Sequence, residues 1–221
     1  MAPVKQHRGH MGYAEFVVEY FADEVTGRDG KIAFRPLPGL ERVIEVGGQT
    51  WIEAERGCGK TMQVGIAAIW AVFALHRRFP LLLSGSFPAA DWARLLYKRV
   101  EENEKLRAAY PDVDPMLYDR GTTLALEPYG AIAVRGIWQS LTDLTWNGER
   151  PDVILVDEPP GTDEANSPTM TTRLRHHLKT HICGMGAPGA PIPVFLVGTS
   201  TCAGDIFALA RAEGLLEGRD G

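Results

Sequence analysis

The sequence predicts an α/β fold with a mostly parallel sheet and helices on both faces. Short apolar runs typical of buried strands alternate with longer segments whose apolar residues recur at helical spacing. A glycine loop ending in Lys60-Thr61 connects one predicted strand to a helix, and two acids, Asp157 and Glu158, directly follow another apolar run. Alternating strands and helices form parallel sheets, and ligands bind at the carboxyl ends of their strands.

Composition is that of an ordinary globular protein. The chain has 221 residues, 45% hydrophobic and 23% charged, which is enough for one α/β domain with a substantial core. The net charge of −5 argues against nucleic-acid binding through bulk charge but leaves room for a local basic patch. Three cysteines without Cys-x-x-Cys spacing, with no signal-type segment and no membrane-length apolar run, predict a cytoplasmic protein without a membrane partner.

The elements follow one another along the chain without an internal repeat or linker. Helices are predicted over residues 13–25, 59–77, 89–109, 169–180 and 204–216. Buried strands are predicted over 81–85, 153–156 and 193–197. Hairpins are predicted over 42–54, with Gly47-Gly48 as the turn, and between 122–126 and 131–134. Segments 31–40, 110–118 and 135–150 are predicted to be loops or irregular structure. We therefore expect a single domain over residues 1–221, in which residues 1–40 form a leading helix and loop.

The glycine loop has the pattern of a phosphate-binding site. Backbone N–H groups of the loop and of the helix start would surround the phosphates, and Gly57 and Gly59 let the backbone curl around the anion. The Lys60 ammonium would reach the β- and γ-phosphates, and the Thr61 hydroxyl would take one coordination position of Mg²⁺. Ala54 stands where the full pattern has a glycine, so the loop is a variant, and a plain helix start is the alternative interpretation.

The acid pair predicts metal binding and water activation. Asp157 would hold Mg²⁺, directly or through a water, and Glu158 would polarise a water for in-line attack on the γ-phosphorus. The alternative is a strand that ends in a solvated acidic turn, since two prolines and a glycine follow.

A third polar segment, Gly198-Thr199-Ser200-Thr201, follows the next core strand. Its hydroxyls could hydrogen-bond the γ-phosphate or the attacking water. The alternative is a hydroxyl-rich turn that caps the following helix.

Together these segments resemble the large terminase subunits, the ATP-driven DNA-packaging motors of tailed phages. Residues 55–61 are similar to the family's variant Walker A loop, and Arg56 matches the arginine that often precedes its Gly-x-Gly-Lys-Ser/Thr. Segments 133–136 and 150–158 are similar to the family's Arg-Gly hairpin and to its Arg-Pro-Asp lead-in to Walker B. Residues 198–201 and 204–207 resemble its motif III.

The resemblance implies a P-loop NTPase fold of the additional-strand, catalytic-Glu type, with the motif III strand between the Walker A and Walker B strands. It implies ATP and Mg²⁺ as cofactors and translocation of double-stranded DNA into a procapsid. It also implies a homo-oligomeric ring in the host cytoplasm, with portal and small terminase subunit as partners. The residues expected to act are the catalytic Glu158 and Arg56, the nucleotide-binding Glu55, Arg56, Gly57, Cys58, Gly59, Lys60, Thr61, Thr199 and Ser200, and the metal-binding Thr61 and Asp157.

Several alternatives stay open at this point. The family's nuclease domain has no counterpart, so we expect the ATPase part alone or one half of a split gene. A helicase-like DNA-dependent ATPase and a non-hydrolysing ATP-binding regulatory subunit are the rival functions. The basic helix with Arg173, Arg175 and Lys179 could contact a phosphate backbone or be a solvated face, and the His177–His181 pair could bind Zn²⁺.

Overall fold

The computed structural model describes residues 11–27, 30–32, 34–159, 167–182, 185, 191–200 and 205–212. The strands are β1 Gln49–Glu53, β2 Pro80–Ser84, β3 Asp114–Tyr118, β4 Thr123–Glu127, β5 Gly130–Gly136, β6 Val153–Asp157 and β7 Val194–Gly198. They form one seven-stranded sheet in the order β1-β7-β6-β2-β5-β4-β3.

Five neighbouring strands of this sheet are parallel. β1 pairs with β7, β7 with β6, β6 with β2 and β2 with β5, all in the parallel sense. β4 and β3 continue the sheet in the antiparallel sense. The prediction of a mostly parallel sheet is confirmed, and the carboxyl ends of the five parallel strands meet at one edge.

The helices flank the sheet. They are α1 Tyr13–Tyr20, α2 Ala22–Val25, α3 Leu40–Val46, α4 Lys60–Phe73, α5 Ala89–Glu101, α6 Glu104–Ala109, α7 Pro168–His177 and α8 Ile206–Ala212. A π-helical stretch, Leu178–Ile182, continues α7. None of the helices in the described residues is long and apolar enough to cross a membrane.

Both faces of the sheet are covered because side chains alternate along each strand. In β6, Val153 and Leu155 pack in a cluster with apolar residues of α1, α3, α4 and α5. The intervening Ile154 and Val156 pack in a second cluster with residues of α7, the π-helical stretch and α8. The core therefore has one layer on each side of the sheet, as the alternation of strands and helices predicted.

The predicted hairpin over 42–54 is wrong in its first half, which is helix α3. Leu40, Val43 and Ile44 are buried at helical spacing, and a β-branched pair in so short a segment suits either structure. Gly47 and Gly48 have φ angles of 101° and 95°, conformations that glycine adopts without steric cost. They end α3 and lead into β1.

Other boundaries also differ from prediction. Residues 110–118 were predicted to be irregular, but Asp114–Tyr118 form β3, where Pro115 is tolerated because the strand lies at the sheet edge. The predicted helix over 89–109 is two helices, since Asn103 caps α6 by accepting a 2.9 Å hydrogen bond from Leu106 N–H. The predicted helix over 13–25 is likewise two, and the one over 59–77 ends at Phe73. The hairpin between 122–126 and 131–134 is confirmed.

Candidate nucleotide-binding site

The glycine loop connects β1 to α4 at the carboxyl edge of the sheet. Gly57 and Gly59 have φ angles of 81° and 77°, left-handed conformations that other residues rarely adopt. Glu55 to Cys58 are exposed. No described side chain caps α4, so the first N–H groups of this helix point along its axis towards the loop. Because these N–H groups have no side-chain partner, the start of α4 and the glycine loop together can bind an anion.

Lys60 is buried, and its ammonium lies among oxygen atoms from three segments. Nζ donates to the carbonyl of Glu55 at 2.9 Å and to the Thr199 hydroxyl at 2.7 Å. It also lies 3.6 Å from Glu158 Oε2 and 3.4 Å from the Ala54 carbonyl oxygen. The lysine thus connects the glycine loop, the end of β6 and the end of β7.

Asp157 is 1% exposed and lies next to the Thr61 hydroxyl, which favours its charged form. Its Oδ1 is buried and has no hydrogen-bond partner among the described residues. Burial raises the pKa of Asp157 to about 6, and the Glu158 carboxylate adds to the rise, while Thr61 and Lys60 oppose it. A buried carboxylate oxygen without a partner, beside a hydroxyl, is an arrangement that a hard cation would satisfy.

Glu158 follows in a left-handed conformation, with φ 49°. Non-glycine residues in this conformation are strained and are common at functional sites. The side chain is held on both sides, because Oε1 accepts from Thr199 N–H at 3.3 Å and Oε2 faces Lys60. Its backbone N–H donates to the Val197 carbonyl at 2.9 Å. The carboxylate is therefore fixed between the end of β7 and the lysine at the start of α4.

These segments meet because β7 lies between β1 and β6. Gly198 is level with Glu53, the last residue of β1, and Val197 is level with Asp157. Ala54 N–H continues the ladder to the Gly198 carbonyl at 2.9 Å. The expected position of the motif III strand is confirmed.

Gly198 is required by its surroundings. A Cβ added there would lie 2.7 Å from Pro159 Cδ and 2.9 Å from the ring of Phe207. The close approach of β7 to the residue after Glu158 depends on this glycine.

The hydroxyl residues after β7 point to different partners. Thr199 contacts Lys60, whereas Ser200 donates a 2.8 Å hydrogen bond to Asp205 Oδ2. Asp205 Oδ1 in turn accepts from the N–H groups of Phe207 and Ala208, as an N-cap of α8 does. Thr199 thus has the phosphate-side position and Ser200 the capping position. Thr201 lies outside the described residues.

Arg56 and Cys58 lie at the mouth of the site. Both are exposed, Cys58 is a free thiol, and Arg56 makes no hydrogen bond or ion pair with any described residue. The guanidinium is therefore free to turn towards a ligand or a neighbouring molecule.

Gln63 is a residue that sequence reasoning missed. It is 4% exposed, and its Oε1 accepts from Leu37 N–H at 2.9 Å. Its Nε2 donates to the carbonyls of Arg35 and Cys58 at 3.2 Å and 3.3 Å. It therefore fixes the segment before α3 against the glycine loop. The available signal was one amide in an otherwise apolar helix, since buried polar groups are hydrogen-bonded.

The His177–His181 pair has no third metal ligand beside it within the described residues. Among the described residues, no group of three His, Cys, Asp or Glu is placed to hold a metal ion, and Cys183 lies outside them. His177 Nε2 lies 2.7 Å from the Ile137 carbonyl, so this ring joins α7 to the loop after β5.

Two solved structures have a similar backbone. The large terminase of bacteriophage HK97 matches with a TM-score of 0.53 and 15% identity, over 96% of this chain and 45% of that chain. The N-terminal domain of the DNA packaging ATPase from bacteriophage phi29 matches with a TM-score of 0.51 and 12% identity, over 84% of this chain and 89% of that chain. The chain thus shares its fold with these two phage proteins.

The implied resemblance to terminase ATPases is thus confirmed at the level of the fold. The chain spans about half the length of the HK97 large terminase, 45%. No protein-family profile matches the sequence, and no curated protein matches it. The sequence identity to both structures is low, so the similarity lies in the fold.

Proposed function

We propose that this chain hydrolyses ATP with Mg²⁺ and uses the energy to move double-stranded DNA into a phage procapsid, as the motor part of a terminase large subunit. The observation that carries the proposal is the convergence on Lys60, whose ammonium contacts the glycine loop, Thr199 and Glu158. Such a convergence of loop, acid and hydroxyl at the sheet edge suits phosphoryl transfer. The likeness in fold to two phage packaging proteins supports DNA as the substrate that is moved.

Phosphate binding would use the loop N–H groups and Lys60. The ammonium contacts two neutral carbonyls and the Thr199 hydroxyl, and it lies 3.6 Å from Glu158 Oε2. Phosphate oxygens carry more negative charge, so the ammonium would exchange the carbonyls for the β- and γ-phosphates. The exposed residues 55–58 can close around the nucleotide without disturbing the core.

Thr61 and Asp157 fit Mg²⁺. Both offer oxygen ligands, which this ion prefers, and the buried Asp157 Oδ1 has no hydrogen-bond partner among the described residues. When bound, Mg²⁺ would neutralise charge on the β- and γ-phosphates. The chain's own contribution is to hold a carboxylate and a hydroxyl next to each other.

Glu158 would be the general base. Its Oε2 lies 3.6 Å from the Lys60 ammonium, so a turn of Lys60 towards phosphate would free that oxygen to accept a proton from the attacking water. Thr199 N–H would keep the other oxygen in place. Glu158 would thus act as a base only after nucleotide has bound and Lys60 has turned away from it.

Arg56 would stabilise charge in the transition state, either at its own γ-phosphate or at the acid pair of a neighbouring subunit. A ring of identical subunits, with portal and small terminase subunit as partners in the host cytoplasm, would supply that neighbour. We propose that the chain serves this ring as a single ATPase domain.

Turnover of ATP by the isolated chain, with and without double-stranded DNA, tests the proposal. A concentration series is needed, because sites completed by a neighbour work only in the assembly. DNA-stimulated turnover that rises with protein concentration is the expected result. ATP binding without turnover under every condition would favour the regulatory subunit, and strand separation would favour the helicase-like motor.

A further inference from the structure

A groove of about 480 Å³ lies between the loop after β5 on one side and α7, its π-helical continuation and Met185 on the other. Its walls include an arginine, two histidines, a tryptophan, a glutamine and three hydroxyl side chains. None of the described residues that line it is acidic, although the chain has 28 acids against 23 lysines and arginines. Asp143 and Glu149 belong to the same loop but do not line the groove. Its composition therefore suits an anion.

Two arginines lie at the groove. Arg150 lines it, and Arg173 lies at its rim over the ring of the lining residue Trp138, with its guanidinium carbon 5.5 Å from the ring centroid. Both are exposed, and neither has a carboxylate partner among the described residues. By contrast, Arg99, Arg135 and Arg211 are each paired with an acid.

Trp138 contacts both His177 and Arg173. It is 37% exposed, packs against His177 with ring centroids 5.2 Å apart and carries Arg173 by a cation–π contact. Burial lowers the pKa of His177, and its Nε2 lies 2.7 Å from the Ile137 carbonyl. Arginine supplies the permanent positive charge at the groove, and its planar group suits phosphate oxygens.

Gln139 and the hydroxyls add hydrogen-bond donors. Gln139 Oε1 accepts from Gly136 N–H at 3.0 Å, which fixes its amide and leaves Nε2 without a partner among the described residues. Ser140 and Thr142 bond each other at 3.1 Å, so each keeps capacity for a further partner. Phosphodiester contacts commonly combine such neutral donors with arginine.

The groove shares the sheet edge with the nucleotide site. Ile137 N–H donates to the carbonyl of Ser84, the last residue of β2, at 2.9 Å. β2 pairs with β6, and Ser84 is level with Asp157. One neighbouring strand, β2, thus separates the groove wall from the acid pair.

We propose that this groove binds the phosphodiester backbone of double-stranded DNA, with Arg150 and Arg173 as the phosphate contacts and Trp138 as the residue that positions Arg173. This rests on the proposed function, which supplies the duplex as the polyanion. The fold brings the arginines together from two segments that lie apart in the sequence.

The test uses a fluorescent DNA duplex and follows binding anisotropy of the full chain from 50 to 200 mM salt. In Arg150→Gln and Arg173→Gln, the affinity should fall on the order of tenfold each. The slope of log affinity against log salt should become shallower by about 1 for each phosphate contact that is lost. Lys98→Gln, an exposed lysine on α5 without an acidic partner, is the charge-matched control and should change neither quantity.

Trp138 is tested by its coupling to Arg173. Trp138→Leu should weaken binding and make the further loss from Arg173→Gln smaller, whereas Trp138→Phe, which keeps an aromatic face, should restore most of the affinity. Additive losses would exclude the positioning role.

ATP binding by the wild-type chain separates the two proposals. A chain that binds no ATP contradicts the proposed function. A chain that binds ATP and duplex, but loses no more affinity in the two arginine variants than in Lys98→Gln, contradicts the groove alone. No duplex binding by the wild type at 50 mM salt, or tighter binding of single-stranded DNA or RNA, would also overturn it.

Discussion

Replacement of Asp157 by asparagine should make the nucleotide-free chain more stable at neutral pH. The carboxylate is buried, and its pKa rises from 3.8 to about 6, mainly through burial. Each pKa unit corresponds to about 1.4 kcal/mol, so the charged form destabilises the folded chain by about 3 kcal/mol above pH 7. Asparagine removes the charge and keeps an oxygen that can accept from Thr61. Its amide places a donor where a protonated carboxyl would have one.

The sign of the pH dependence follows from the raised pKa. The folded chain binds this proton more tightly than the unfolded chain does, so its contribution to stability falls between about pH 4 and pH 6 and is constant above. The variant lacks this change. Its advantage should be close to zero near pH 4 and should reach about 3 kcal/mol at pH 8.

Urea unfolding at several pH values, without metal or nucleotide, measures this difference. Asp143→Asn is the control, because Asp143 is exposed and makes no ion pair with any described residue, so this change should alter stability by less than about 0.5 kcal/mol. Addition of Mg²⁺ with a non-hydrolysable ATP analogue should stabilise the wild type more than Asp157→Asn. If the stability difference between variant and wild type does not grow with pH, or if the variant is less stable at pH 8, the carboxylate of Asp157 is not buried in its charged form as described.

Two further substitutions test the end of β7. Gly198→Ala should destabilise the chain by about 2 kcal/mol in thermal unfolding, because the new methyl group meets Pro159, while Gly136→Ala, with its nearest contact at 3.6 Å, should be tolerated. A tolerated Gly198→Ala would contradict the close packing there. Ser200→Ala should lower stability by about 1 kcal/mol, because the Asp205 cap loses its hydrogen bond from Ser200. The affinity for ATP should not change. A large loss of ATP affinity would show that Ser200 contacts the phosphates.

The segments that meet at the candidate site were easier to locate in the sequence than the helices and strands around them. The glycine loop and the acid pair could be located because phosphate and metal chemistry restricts residue type and spacing. The place of β7 beside β1 came from the family resemblance, since periodicity along one strand carries no information about its neighbours.

The misassigned elements have physical reasons. Segment 40–46 is apolar at both helical and strand spacing, so only its packing against the core decides. Segment 114–118 contains a proline that argues against a central strand, but not against an edge. The roles of Thr199 and Ser200 could not be separated in sequence, because both are hydroxyls one residue apart, and only the backbone directs one to Lys60 and the other to Asp205.

Glu158→Gln tests the hydrolytic claim most directly. Glutamine keeps the shape and can still accept from Thr199 N–H, but it cannot take a proton from water. With Mg²⁺ and DNA present, turnover should fall by a factor on the order of 10² to 10⁴, while equilibrium binding of ATP is retained. Turnover close to that of the wild type, with ATP binding intact, would contradict the account.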